Sequence, residues 1–275
     1  MKRKSARQLL MVLLAFSLVF TLVACSSSQQ SSSSSTGGDS TPSESSSEGS
    51  GSDFYKGKTI EMLVPFGAGG GSDVTARFMA PFYSKYLEGN PNVQVVNVPG
   101  GGSIIGANEF VNMREPNGLN TLWTSASTVY PYLLGEPAVQ FELKELEPII
   151  AIPHGGVVYI SPETGYSEPK DLLELSGDLV YAGISATGLD LVALLSFEVL
   201  GVDVQAVMGY EGRGPARVAF EQGESNIDYQ TSSGYLSNVV PLVEEGKAIP
   251  LFSFGLLDSE GNIVRDPAFP ELPTV

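Results

Sequence analysis

Two glycine-dense turns are the stretches of this chain best suited to chemistry. The first, Pro65-Phe66-Gly67-Ala68-Gly69-Gly70-Gly71-Ser72-Asp73, follows the apolar β-type run 60–64 and leads into a segment of helical composition opened by Asp73. The second, Pro99-Gly100-Gly101-Gly102-Ser103, follows the alternating run 93–98 and leads into a helix expected to reach Met113, with Ser103 as its N-cap. Glycine reaches backbone angles closed to other residues, and the free amides of such a loop and first helical turn carry partial positive charge. That combination can seat a small anion. One glycine-rich turn by itself reads first as a tight connection. Its recurrence after a second strand suggests βαβ winding, with both loops at the carboxyl edge of one sheet, where open α/β sheets bind ligands. A third strand at Thr121-Leu122-Trp123 runs into Thr124-Ser125-Ala126-Ser127-Thr128. These hydroxyls, Ser125 among them, either face the same crevice or cap the turn.

Composition limits what else the chain could do. It has 275 residues, with 15 Lys and Arg against 31 Asp and Glu, and a formal charge of -16. A phosphate backbone needs a basic surface, so nucleic acid is not expected as a partner. Local amide dipoles can hold a small anion whatever the net charge. Cys25 is the only cysteine and His154 the only histidine, which leaves no disulfide, thiol catalysis or histidine-cysteine metal site. No cofactor is expected. Lys58-Thr59 after Gly57 lacks the glycine a phosphate loop needs at Ser52 and precedes its strand instead of following it. A dinucleotide fingerprint starting at Gly67-x-Gly69 fails at Ser72, and Val95-Val96-Asn97-Val98 brings no acidic residue to the end of the second strand. No nucleophile elbow accompanies the serines, so a hydrolase is disfavoured and no catalytic residue is assigned.

The elements that must position these loops begin after a leader. Lys2, Arg3, Lys4 and Arg7 precede the apolar run 9–23, the pattern of an export signal. Leu22-Val23-Ala24-Cys25 looks like a bacterial lipobox, implying cleavage after residue 24 and lipidation of Cys25. Residues 25–53 are rich in serine and glycine and too polar to fold, a disordered tether of roughly 30 Å root-mean-square reach. The globular part then reads as α/β in two lobes. The helix after Asp73 is expected to face the core with Phe78, Phe82, Tyr83, Tyr86 and Leu87 and to kink at Pro81. Residues 149–160, interrupted by Pro153-His154-Gly155-Gly156, read as a strand crossing to a second lobe. There Ser167 is expected to cap a helix, and Leu191, Leu194, Leu195 and Val199 to line the buried face of another ending at Gly201. Further polar strand-to-helix loops follow at 183–190 and 210–214. The run 249–254 is expected to return to the first lobe, giving lobe 1 as residues 54–153 and 252–275 and lobe 2 as 154–251.

Residues 65–77 and 97–106 resemble the two signatures of the Bug-type receptors, the extracytoplasmic substrate-binding components of tripartite tricarboxylate transporters. Pro116-Asn117-Gly118, the 185–188 loop, Tyr210-x-Gly212, Gly223-x-x-x-x-Asp228 and Leu272-Pro273-Thr274-Val275 match further, in order, along nearly all of the chain after the tether. The resemblance implies a two-lobed type II periplasmic-binding-protein fold with a cleft between the lobes. It implies capture of a small carboxylate, a di- or tricarboxylate or related organic acid, for delivery to a membrane permease, by a receptor anchored through lipid on Cys25. The same fold also serves receptors that report a ligand to a partner without transport. Carried over by position, the first-lobe contacts would be Phe66, Ala68, Gly70, Ser72, Asp73, Gly101, Gly102 and Ser103, and the second-lobe contacts Ser185, Thr187 and Tyr210. Asp73 would cap its helix and hold water. Three positions depart from the family pattern: Ser103 where glycine is usual, Asn117 where aspartate is common, and Leu191 where histidine is frequent. Relatives continue past the position of Val275 with a segment closing the first lobe, so lobe 1 is expected to be C-terminally incomplete.

Overall fold

A computed structural model describes residues 53–166, 171–175 and 178–275. The expected leader, Cys25 and Ser167 lie outside the described residues, as does all of the tether except Asp53. The described chain is mixed α/β, built on two main sheets.

β1 (Thr59–Val64) is the middle strand of the first sheet, with Ile60, Met62, Leu63 and Val64 almost fully buried. A near-continuous apolar run is what a strand covered on both faces requires. β1 pairs in parallel with β2 (Asn92–Asn97) on one side and β3 (Asn120–Leu122) on the other. Parallel pairing brings the carboxyl ends of all three strands, and the loops that leave them, to one edge.

α1 (Gly71–Tyr86) opens on Gly71, two residues before Asp73, and runs through Pro81. It buries Gly71, Asp73, Ala76 and Ala80. The aromatic face expected in the core is mostly outside: Phe78 is 63% exposed, Tyr86 69% and Phe82 42%, while Tyr83 packs against the core. Small residues face the sheet because a helix seated close above it leaves no room for rings. Phe78, Phe82 and Tyr86 instead meet one another along the outer face, with centroids 5.3 and 6.4 Å apart.

α2 (Ile104–Met113) follows the second glycine turn as expected. α3 (Ala126–Leu133) occupies what the sequence reading took for a polar turn, and Ser125 caps it by accepting from the Ser127 amide at 3.3 Å. Residues 149–155 form no strand, and Ile149, Ile150 and Ile152 are exposed. Strand pairing begins only at Gly156.

The second sheet has the order β6 (Val204–Met208), β5 (Leu179–Gly183), β7 (Ile227–Thr231), β4 (Gly156–Ile160), β8 (Ile249–Ser253). β4 (Gly156–Ile160) is buried throughout and runs antiparallel to β7 and β8. A single-turn helix, α4 (Asp171–Glu174), precedes β5 (Leu179–Gly183). α5 (Asp190–Leu200) ends on Gly201 at φ 71, the left-handed C-terminal glycine. Its buried face is Asp190, Ala193, Ser196 and Phe197; Leu195 and Val199, expected inside, are exposed. β6 (Val204–Met208), α6 (Arg213–Glu221), β7 (Ile227–Thr231) and β8 (Ile249–Ser253) complete the unit, with the helical pieces Ser232–Gly234, Tyr235–Val239 and Val240–Glu244 between β7 and β8.

β8 pairs with β4, and the final residues lie alongside β8, with Ser253 N–H donating to Pro273 O at 2.8 Å and Val275 N–H to Ser253 O at 3.1 Å. Between them, β9 (Leu256–Leu257) and β10 (Ile263–Val264) pair only with each other. Residues 252–275, expected to finish the first lobe, therefore add no strand to the first sheet. Phe252, Phe254, Phe269 and Leu272 pack instead in the clusters built on β4 and its neighbours.

Candidate functional site

The loops at the carboxyl ends of the first-sheet strands meet the loops of the second sheet around a cavity of about 20 Å³. Phe66, Gly70, Gly71, Ser72, Ser125 and Ser127 form one wall, and Ile184, Leu189, Arg213 and Thr231 the other. The space suffices for one water molecule. The two walls are tied by Gly67 N–H donating to Glu211 O at 2.7 Å, by Leu189 N–H donating to Ser127 Oγ at 3.0 Å, and by Asn238 Nδ2 donating to Gly69 O at 3.3 Å.

The first glycine loop is held from beneath by Asp73. Its carboxylate accepts from the Gly69 amide at 2.9 Å, Asn97 Nδ2 at 2.9 Å and Arg77 Nε at 3.0 Å. Asn97 also donates to Phe66 O at 2.9 Å, linking the end of β2 to the start of the loop. Burial works against the charged carboxylate, yet the bonds from Arg77, Gly69 and Asn97 outweigh it and hold its pKa below the ordinary aspartate value. Asp73 therefore braces the loop from within the first helical turn, and Gly70 occupies the cap position itself.

Gly70 and Gly71 are glycines because the opposite wall is so near. A Cβ on Gly70 would lie 3.3 Å from Gly214 N and 3.4 Å from Arg213 Cβ, and one on Gly71 would collide with Thr231 Oγ1. Ala68 is exposed, and only its carbonyl approaches the second wall, at Gly214.

The second glycine loop sits to one side of the cavity. Gly100, Gly101, Gly102 and Ser103 have successive φ values of 124, 56, 66 and 89°. Ser103 is thus left-handed without being glycine, a strained state. Its side chain does not cap α2; it shares a 2.8 Å hydrogen bond with Thr128 Oγ1 in the interior. Gly101 is exposed, and Gly102 is buried against Ser185, whose Cβ lies 2.7 Å from where a Gly102 Cβ would be.

Of the three second-lobe residues, none lines the cavity. Ser185 Oγ and Thr187 Oγ1 bond to each other at 3.1 Å. Tyr210 turns away, packing by Ala182, Ala216 and Ala219, with its hydroxyl 3.4 Å from Glu224 Oε2. The cavity wall there is built from Ile184 and Leu189 of the 183–190 loop, from Arg213 at the start of α6 and from Thr231 at the end of β7.

Arg213 is 5% exposed and anchors a buried polar cluster under that wall. Its Nη1 donates to Tyr181 Oη at 2.7 Å and Tyr229 O at 3.1 Å, and lies 3.2 Å from Asp190 Oδ1 and 3.3 Å from Asp228 Oδ1. Nη2 donates to Ala182 O. Burial opposes the guanidinium charge, but Tyr181, Asp190 and Asp228 outweigh it and raise the arginine pKa further. Burial pushes the Asp228 carboxyl up, against the pull of Arg213 and the hydroxyl of Tyr159, which donates to it. Ser127 is one of the hydroxyls expected at the crevice, whereas Arg213, Thr231, Ile184 and Leu189 were not expected as wall residues. Arg213 lies inside the 210–214 loop already named, but a lone arginine in an acidic chain reads as a surface charge until its burial is known. Among the described residues no group of three or more His, Cys, Asp or Glu side chains is placed to hold a metal ion.

No family model matches the chain. A protein of Agrobacterium vitis described as a UPF0065 protein in the TAR-I ttuE-ttuC' intergenic region is 29% identical over 171 residues, covering 60% of this chain and 48% of that protein. Protein BugT of Bordetella pertussis is 27% identical over 235 residues, covering 81% of this chain and 66% of BugT. The chain thus spans between about half and two thirds of the length of these curated relatives. Among solved structures, one described as a periplasmic transporter superposes with a TM-score of 0.66 at 25% identity, over 80% of this chain and 71% of that one. The periplasmic binding protein BugD follows at 0.62 and 21%, with the same coverage. MatC (Rpa3494) from Rhodopseudomonas palustris with bound malate gives 0.58 and 20%, over 79% and 71%. The named relatives bear out the resemblance read from the glycine motifs, and the fold is the mixed α/β fold of periplasmic binding proteins.

Proposed function

We propose that this chain, which matches the Bug-type receptors in sequence and in fold, is an extracytoplasmic binding protein that closes two lobes on a small carboxylate and delivers it to a membrane permease. In this reading Cys25 carries the lipid anchor, the first sheet and its helices form lobe 1, and the second sheet forms lobe 2. The observation that carries it is the cavity itself: it lies where the strand-end loops of the two sheets meet, walled on one side by glycine and serine backbone. Exposed amides at a helix start favour an anion without needing a charged side chain, which suits an acidic protein.

A cavity of about 20 Å³ is too small for a dicarboxylate. Entry therefore requires the lobes to part, with residues 149–155, which form no strand, as the crossing that flexes, and the ligand to draw them together again. Malate in the MatC structure supports a dicarboxylate as the first class to try.

Trp123 supplies the readout. It is half-buried in the cluster that joins Met62, Val64 and Phe66 to Ile184 of the opposite wall, so separation of the walls changes its surroundings. Titration with mono-, di- and tricarboxylates should give a saturable change in its fluorescence together with a raised melting temperature, since a ligand that binds only the folded state stabilises it. A folded protein that responds to none of them would overturn the assignment.

A further inference from the structure

Six buried side-chain polar atoms have no hydrogen-bond partner among the described residues: Arg213 Nε, Arg217 Nε, Ser225 Oγ, Asp228 Oδ1, Gln230 Oε1 and Thr231 Oγ1. Only two of them, Arg213 Nε and Thr231 Oγ1, belong to residues that line the cavity. Leaving a buried donor unmade is costly, so such atoms in a folded protein call for a partner that is not part of the chain.

We infer that Arg213 Nε–H and Thr231 Oγ1–H together bind a carboxylate oxygen of the ligand, making the second wall a side-chain oxyanion site opposite the backbone amides of the first. This rests on the carboxylate-receptor reading above and deepens it. Both atoms can donate, and Nε–H can only donate, so the complementary group is an oxygen acceptor. A bond from a charged donor to a carboxylate is shorter and stronger than a neutral one. The rest of the arginine is already engaged: Nη1 and Nη2 bond to Tyr181, Tyr229 and Ala182, and Asp190 and Asp228 flank the head. The guanidinium is thus locked in position with Nε the one of its nitrogens that has no partner. Thr231 Oγ1 stands against Gly71 of the opposite wall, close enough that any side chain there would displace it. A ligand oxygen between the two walls would therefore meet amides on one side and these two donors on the other. The flanking carboxylates mean that Arg213 attracts an anion by its directed N–H more than by net charge.

The test uses two conservative variants, Thr231→Val, which keeps shape and removes the hydroxyl, and Arg213→Lys, which keeps charge and removes Nε–H. Wild type and variants are titrated calorimetrically with malate, succinate, glutarate, adipate and citrate, and each is checked for folding by melting temperature and circular dichroism. Thr231→Val should weaken the best of these carboxylates about tenfold without lowering the melting temperature, because it removes an unpaired buried hydroxyl. Arg213→Lys, where it folds, should weaken it at least as much. If wild type binds a carboxylate and folded Thr231→Val binds it within twofold, the donors serve only a resident water and the inference is overturned. If wild type binds none of the five, the receptor reading falls, and this inference with it.

Discussion

The two walls of the cavity are made of different material. The first is backbone: glycines and a serine at the head of α1, braced from below by one carboxylate whose partners all lie within the same sheet unit. The second is side chain, a threonine beside an arginine that is held by aromatic rings and carboxylates drawn from β5, α5 and β7. Their supports differ too. The first sheet is three strands deep, and its largest helix leaves three aromatic rings exposed. The second has five strands over a core that includes Val158, Ile160, Tyr181, Phe197, Ile227, Tyr229 and Phe252. A wall of amides can be specified by a short run of glycines, whereas a wall of buried charge needs a large enclosing core.

That contrast can be broken most severely from the second wall. Arg213→Ala leaves Asp190 and Asp228 buried without their counter-charge, and removal of one partner from a buried ionic group costs about 3–5 kcal/mol. Urea denaturation should show a loss of that size. A comparably bulky insult to the first wall should act on binding before stability. Gly70 has an ordinary extended backbone (φ -83°), so Gly70→Leu is unstrained locally, but its side chain would push into Gly214 and Arg213. Carboxylate binding should disappear, while overpacking costs about 1–3 kcal/mol. Retained binding would move the site elsewhere.

Two of the buried aspartates, Asp73 and Asp228, should respond to pH in opposite senses. Asp73 has a lowered folded-state pKa, so its stabilisation is present above the ordinary aspartate value and is lost as pH falls through the folded value. Asp73→Asn should cost about 2 kcal/mol at neutral pH, the scale of hydrogen bonds to a charged group, and flatten the acid limb of the stability curve. Asp228 has a raised folded-state pKa, so its contribution is present below the ordinary value and is lost as pH rises through the folded one. Asp228→Asn should remove that decline; a pH-stability curve identical to wild type would refute the assignment. The smallest effect belongs to the outer face of α1. Replacing Phe78 and Tyr86 by serine should change stability by less than about 0.5 kcal/mol each, as for exposed positions generally. A drop of several kcal/mol in this chain would mean that the rings are buried in solution.

Much of the first sheet was legible because its signals are local. An apolar run, a proline, glycines and a helix-forming segment are consecutive in the chain, and the unit they specify is the unit that forms. Phe66, Gly70, Ser72 and Ser125 line the cavity as the loops suggested. Helix faces were less legible. Aromatic residues on α1 and leucines on α5 were read as core by hydrophobicity, but close seating against the sheets favours Ala76, Ala80 and Ala193 there. Ser103 does stand at the N-cap of α2, but with a left-handed φ and with its side chain bonded to Thr128, 25 residues away, instead of to the helix amides.

Where backbone amides gather follows from glycine spacing and strand-to-helix junctions, which are properties of neighbours. What faces them is set by the fold. Ser185, Thr187 and Tyr210 stand close in sequence to the right loops, yet Ile184, Leu189, Arg213 and Thr231 reach the cavity. Arg213 becomes a wall residue because β5, β7 and α5 converge around it with two carboxylates and two tyrosines. Residues 252–275 lie with the second sheet because β8 finds β4, far earlier in the chain. Such pairings depend on which buried surfaces and charges meet in space, and no window of neighbouring residues contains that information.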